Sequence, residues 1–307
     1  MLGAAPALVF SLVDRYGIDC QLRREGTLHM AHNARGEADL RSREEQWKRR
    51  GRRSSDLAKP PPALARSPRP CSTGVPVPST RWLIPRAWPR PPPGWARSCS
   101  ISHRSPGWSA RASVGRYRPP MVRSAPSSNF FPGYYYQVAS VPLDDDAAKQ
   151  VLPGGQGSWD TRQVLSSIRR DADGRLLLGS LGNGNQKPAW FLRAWADRVQ
   201  QHYFPYLKKV DWECTWTGCI AFTPDHLMRL FEPAPGLVAV TGYNGRGVTT
   251  GTVVGKAFAD YLCSGNRQAL PIPFAPMRPV PAVGLRSCLY EVGFSLYHAG
   301  QCLRVVI

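Results

Sequence analysis

Apolar positions recur at helical spacing in several stretches of the chain and alternate with polar ones, at strand spacing, in others. In residues 7–16, Leu8, Leu12, Val13 and Tyr16 share one side and Gly17 supplies the stop of an amphipathic helix. Residues 20–32 read as paired strands turning near Arg24-Glu25-Gly26. On such a strand His29 and His32 fall on opposite faces, which disfavours a shared metal ion. Asn33 can cap a charged helix ending at Gly51. Further along, residues 134–141 form an aromatic, β-branched strand, and Asp144 to Asp146 cap a short helix toward Leu152. Residues 164–170 and 175–179 flank Asp171-Ala172-Asp173-Gly174, a hairpin signal with glycine where a positive φ is needed. A helix over 189–203 follows Pro188, and a strand over 211–222 places Trp212, Cys214, Trp216 and Gly218 on one face. Helices interleaved with strands predict an α/β to α+β fold, a mixed sheet with helices plus an antiparallel sheet.

The stretch with the most chemical content is GLVAVTGYNGRGVTTGTVVGKAFADYL, residues 236–262. Residues 237–240 read as a buried strand, four glycines follow at 242, 245, 247 and 251, and helical spacing resumes through Val253, Val254, Ala257, Phe258, Tyr261 and Leu262. A strand, a glycine turn and a helix N-terminus present backbone N–H groups and the positive end of a helix dipole. That combination suits a phosphate or a ring oxygen that gains negative charge. A tight crossover whose glycines only let helix pack on strand explains the same pattern. After Leu262, prolines at 271, 273, 276, 279 and 281 make an extended segment before a helical tail over 285–303.

Composition changes this picture in one window. The chain of 307 residues carries a formal charge of +19, and residues 52–128 supply thirteen of those nineteen charges. No Asp or Glu occurs from Leu57 to Leu143. The window is rich in Arg, Pro, Ser and Trp, without apolar periodicity, and its proline density forbids regular helix. It admits three readings: an RNA-binding arm in which Arg and Trp planes stack on bases, a proline-rich linker, or a shifted reading frame over GC-rich coding DNA. The frame shift fits best, because the swing is confined to one window between stretches of ordinary composition. The eight cysteines form no CxxC pair, so reduced thiols in a cytoplasmic protein are the expectation. The start MLGAAPALVFSLV has an apolar region but neither a basic lead nor a clean cleavage site, and no run reaches the length of a membrane span.

The glycine stretch, together with WTGCIAFTPDHLMRL at 216–230, resembles the closing strand–loop–helix of the FAD-dependent oxidoreductases of the D-amino-acid oxidase family. Within that family it is most similar to the branch containing gamma-glutamylputrescine oxidoreductase. The second segment resembles the family's W-x-G-x-x-x-x-T-P-D-x-x-P stretch, with Met228 where proline is usual. The resemblance covers roughly 130–307 and about 5–51. It implies a remnant of a flavin oxidoreductase fold: 1–51 a fragment of the FAD-binding part, 52–128 the basic segment, 129–235 a substrate domain, and 236–307 the FAD-contacting strand, loop, helix and tail. The activity implied is oxidation of a C–N bond in a small amine or amino-acid-like substrate, with FAD taking the hydride equivalent. The ring edge would sit on Gly242, Asn244, Gly245, Arg246, Gly247, Val248 and Thr249. Related sarcosine oxidases carry a lysine matching Thr249, so the threonine leans toward an amine or modified amine. Trp159 to Arg162 and Ser166 to Arg169 resemble strands of the substrate sheet that face the flavin. Ordinary strand pairing accounts for the same residues.

The family's G-x-G-x-x-G fingerprint occurs nowhere in the sequence. A chain beginning after the ADP-binding unit, with impaired catalysis or none, is the corresponding expectation. Three ring contacts at about 1 kcal/mol each fall short of the roughly 8 that micromolar affinity requires, so weak FAD binding is expected.

Overall fold

A computed structural model describes residues 2–20, 22–50, 74–77, 129–234 and 236–302. Helix α1 (Ala5–Tyr16) ends on Gly17 in the left-handed conformation, and α2 (Ala34–Arg49) starts where the Asn33 side chain accepts from the Gly36 N–H at 2.9 Å. Between them only Thr27–Met30 is a strand, β1. The paired strands expected over 20–32 do not form. Arg24 instead turns back on α1, its guanidinium 4.9 Å from the Phe10 ring and paired with Asp14, while Cys20 and Leu22 pack on Val9 and Val13.

The remaining strands are β2 (Gly74–Val77), β3 (Phe131–Pro142), β4 (Gly157–Asp160), β5 (Ser166–Arg170), β6 (Arg175–Leu181), β7 (Trp212–Phe222), β8 (Arg229–Ala234) and β9 (Leu237–Thr241). Helices α3 (Asp145–Gln150), α4 (Ala189–Tyr203), α5 (Gly247–Ser264) and α6 (Val283–Cys302) complete the described elements. A seven-stranded mixed sheet runs β2-β1-β4-β5-β6-β3-β7, with β1 parallel to β4 and the other pairs antiparallel. The mixed α/β fold class expected from the sequence is therefore present. Asp144 caps α3 through the Ala147 N–H at 2.7 Å, and the 171–174 turn joins β5 to β6 with Gly174 at φ 82°.

Two strands depart from expectation. Gly74–Val77 lies inside the basic window, yet it pairs with β1 along the sheet's edge, where Pro76 costs no central ladder bond. The rest of 52–128 lies outside the described residues. Strand β9 is half-buried rather than buried, with Leu237 46% exposed, because it belongs to a separate two-stranded sheet with β8.

One face of the large sheet carries the core. Met30, Tyr136, Val138, Ile168, Leu176 and Leu178 project toward Leu192, Trp195, Ala196, Val199 and Tyr203 of α4. Helix α6 also reaches this side, where buried His298 meets Tyr136 and Trp195 edge-on. Helix α1 lies against α5. Among the described residues no helix is long and apolar enough to cross a membrane.

Candidate functional site

Strand alternation sends the next residues along each strand to the opposite face. The register places Ser167 beside Gly179, Gly179 beside Gln137, and Gln137 beside Trp216. One row further on, Tyr135 lies between Leu181 and Gly218; on the other side, Ala139 lies between Leu177 and Cys214, with Arg169 beside Leu177. Trp159 and His29 extend the Ser167 row toward the far edge, their rings 5.4 Å apart. This face thus gathers Tyr135, Gln137, Ser167, Arg169 and Trp216 beside a few aliphatic residues, whereas the other carries most of the apolar core.

Tyr135 leans across Gly179 to donate to Ser167 Oγ at 2.7 Å. A Cβ on Gly179 would sit 2.7 Å from the tyrosine ring and 2.9 Å from that oxygen, so only glycine admits the crossing. Burial, partly offset by the bond to Ser167, holds the phenol far above its usual pKa. Arg169 donates to Gln137 Oε1 at 3.4 Å, and its buried Nε has no hydrogen-bond partner. Burial lowers the guanidinium to about 10, which leaves it charged at neutral pH. No carboxylate lies within ion-pairing distance of it among the described residues. Asp171 acts on its charge only at longer range, so this largely desolvated cation has no direct anionic partner among the described residues, and it looks onto the polar face.

The glycine loop borders the same face. Ile220 projects on the side of Tyr135 and Gly218, and its Cδ1 lies 3.7 Å from the place a Cβ on Gly245 would take. Gly242 (φ 77°), Asn244 (φ 50°) and Gly245 (φ 84°) are all left-handed, which turns the chain sharply from β9 into α5. Asn244 accepts from the Thr223 N–H at 3.0 Å and donates to Thr223 Oγ1 and the Gly242 carbonyl, tying the loop to the end of β7. Its side chain is therefore engaged in holding the turn. Arg246 is exposed and stands at the N-cap of α5 without a side-chain capping bond. The helix starts at Gly247, ahead of the helical spacing that begins with Val253, and the Tyr243 ring stands over Gly247 and Gly251. Val248 is half-buried and Thr249 is buried.

The donor set decides how FAD would fit. The first N–H groups of α5, on Gly247, Val248 and Thr249, receive no cap from the Arg246 side chain and lie at the positive end of the helix dipole. They suit the electron-rich pyrimidine edge of a flavin. A matching pyrophosphate cradle, with its G-x-G-x-x-G turn, is not in the sequence. The residues present fit the ring end of the cofactor.

The other residues marked from the resemblance divide by alternation. Trp159, Ser167 and Arg169 are on the polar face, whereas Ser166 and Ile168 are on the helix-covered one. Asp160 and Arg162 form a structural knot. Asp160 accepts from Arg162 Nη1 at 2.7 Å, the Tyr203 hydroxyl at 2.8 Å, and the N–H groups of Arg162 and Ser166. Burial works against the Arg162 charge, but Tyr203 and Asp160 outweigh it and hold the guanidinium above its usual range. Thr161 bonds His32 at 2.7 Å and packs on Gly36. In the 216–230 segment Thr223 donates to the Leu227 carbonyl, and Asp225 pairs with Arg229 at 2.7 Å, so Thr-Pro-Asp builds a turn. Tyr135 and Gln137 were missed by sequence reasoning, although the odd–even alternation of residues 134–141 carried the signal.

The chain resembles known proteins along much of its length. The model of the family described as DAO, FAD dependent oxidoreductase, matches residues 107–261, just over half of the chain. A probable oxidoreductase of Rhizobium meliloti is 30% identical over 111 residues, covering 36% of this chain and 26% of its own. The gamma-glutamylputrescine oxidoreductase of Escherichia coli is 25% identical over 159 residues, covering 49% of this chain and 37% of its own. The matched stretches thus span between about a quarter and somewhat over a third of these relatives' length. In fold it is similar to the glycine oxidase of Geobacillus kaustophilus, at TM-score 0.56 and 18% identity over 91% of this chain and 81% of that one. The iminodiacetate oxidase of Chelativorans superposes at TM-score 0.55 and 13% identity, over 90% and 82%. This chain belongs to the DAO family of FAD-dependent oxidoreductases.

Proposed function

We propose that the chain carries the substrate-facing sheet and the ring-binding loop of an FAD-dependent oxidoreductase that oxidises a C–N bond of an amine or amino-acid-like substrate. The observation that supports this most is the polar sheet face bordered by an uncapped helix N-terminus. Bound there, the flavin would supply the acceptor for the hydride equivalent. Gly247, Val248 and Thr249 would donate to its pyrimidine edge, with Arg246 adding positive charge at the rim. Arg169, with Gln137 and Tyr135 beside it, would hold an anionic group of the substrate and orient the C–N bond. Trp159, Trp216 and Ile220 would keep water from that face. In this reading residues 1–51 and 74–77 supply one edge of the sheet, 129–235 its body and 236–302 the ring-binding loop with its two helices.

The experiment is titration of the purified chain with FAD, followed by flavin fluorescence, and then anaerobic addition of amines with and without a carboxylate. Saturable binding and bleaching of the flavin band by an amine support the reading. Stoichiometric binding with no bleaching by any amine would remove the catalytic part of it, and absence of binding at millimolar FAD would remove all of it.

A further inference from the structure

The side of α4 that meets α6 carries a second set of unsatisfied donors, on the opposite face of the sheet from the flavin-facing residues. Trp195, Arg198 and His202 recur every three to four residues and share one helix stripe. Trp195 is fully buried, and its indole Nε1 has no hydrogen-bond partner. Arg198 makes no ion pair among the described residues, and its Nη2 is buried without a partner there. Arg162 arrives from the loop after β4, its Nη2 3.4 Å from His202 Nε2, and its Nε is again buried and unpartnered. From α6, His298 lies 5.8 Å from the Trp195 ring and feels the charge of Arg198, while Tyr297 feels the charge of Arg162.

The cluster lacks an acceptor to match. Among the described residues its one carboxylate, Asp160, already accepts from Arg162 Nη1, Tyr203 and two backbone N–H groups. Asp197, the next acid on α4, is turned to Trp212 Nε1 at 2.7 Å and Lys209 at 3.0 Å. Burial keeps His298 neutral, at about 4, and it bonds the Leu181 carbonyl at 3.0 Å. Among the described residues, two guanidinium groups and one carboxylate border the junction, the carboxylate bound to Arg162, and three buried N–H donors are left over. A buried donor without a partner is unfavourable, and planar guanidinium forks select oxyanions.

We propose that the α4–α6 junction is a binding site for a small oxyanion, a phosphate or a carboxylate, held by Arg198, Arg162 Nε and the Trp195 indole N–H. Half-buried Arg198, His202 and Tyr297 form its entrance. An anion there would cross-link the sheet, α4 and the carboxy-terminal helix.

The test is thermal unfolding and calorimetric titration of the full chain with inorganic phosphate and, separately, acetate, with sodium chloride balancing ionic strength. One or both anions should raise the melting temperature saturably, and the two arms distinguish a phosphate from a carboxylate. Arg198→Gln should weaken that binding at least tenfold while changing the anion-free melting temperature little, because Arg198 makes no ion pair among the described residues and its Nη2 bonds nothing there. Trp195→Phe removes the indole donor together with part of a buried ring, so the anion effect is read against the variant's own lower baseline, and there it should be several-fold weaker; this gives a second reading where the first variant folds poorly. Anion effects equal to those of chloride, or retained undiminished in both variants, would overturn the proposal as general screening of a basic chain.

Discussion

Replacing Gly242 by alanine tests the geometry of the loop more sharply than any charge substitution. The residue sits at φ 77°, where an L-residue pays about 1–2 kcal/mol. A Cβ there would lie 2.5 Å from Thr223 Cγ2 and 2.8 Å from the Leu227 carbonyl oxygen. The second contact is backbone and is itself fixed by the Thr223 hydroxyl at 2.9 Å, so relief requires moving the turn after β7. Overpacking of that kind costs about 1–3 kcal/mol. Alanine returns about 0.4–1 kcal/mol by restricting the unfolded chain, leaving a net loss of about 2–4 kcal/mol. Urea denaturation followed by tryptophan fluorescence should then show the midpoint lowered by about 1 M or more, since slopes run at about 1–3 kcal/mol per molar. Gly247→Ala is the control. It opens a helix, its nearest foreign atom is 3.8 Å away in the Tyr243 side chain, and it should be neutral or slightly stabilising. Equal midpoints for Gly242→Ala and the parent, or equal losses in the two variants, would refute the account of the turn.

Asp160→Asn should cost about 3–5 kcal/mol, because it strands Arg162 in a buried site, and Asp160→Asn with Arg162→Met should recover part of that in the same denaturation assay. Arg169→Leu should leave folding stability unchanged or raise it, since no ion pair is lost, and should abolish bleaching of bound flavin by carboxylate-bearing amines while sparing FAD affinity. Burial lowers both His29 and His298 from 6.5 to about 4 in the folded chain. The unfolded chain therefore binds more protons between those values, and stability falls as pH drops from 6.5 toward 4, by up to about 3 kcal/mol per histidine. Melting temperatures across that range check it, and His298→Gln should flatten part of the slope.

Much of the fold was legible because it is locally encoded. Asn33 and Asp144 cap helices at the positions their side chains suggest, Gly17 and Gly174 take the left-handed backbone their neighbours cannot, and Pro188 immediately precedes α4. What local pattern could not supply was partnership. Residues 20–26 have strand-like alternation, but the pairing of Arg24 with Asp14 and Phe10 draws them onto a helix. Residues 229–234 formed no separate signal, and only the hairpin with β9 makes them a strand. Leu237 to Val240 read as buried from apolarity alone, although a two-stranded sheet covers less of them than a central position would. For the site, the loop was visible through its glycines, whereas the polar face required the register across four strands. Marking Asp160, Thr161 and Arg162 with Trp159 ignored that neighbours on a strand look opposite ways, and Asp160 points at Tyr203 instead.

The parallel pairing of β1 with β4 sets a timetable for folding. Thr27 lies opposite Gly157, so the strand that joins the β2 edge to the body of the sheet waits for its inner partner 130 residues later in the chain. At synthesis rates of roughly 5–20 residues per second, that wait is on the order of 6–26 seconds. During it, α1 and α2 can form on local bonds and β1 can pair with β2, but Leu28 and Met30 have no helix-covered core to enter and the β1 edge that β4 will cover stays open. By contrast, β5 and β6 meet across a four-residue turn and can zip at once. The hairpin is thus the first piece of sheet able to stand, and the amino-terminal strand is added to it late, from the other end of the molecule's history.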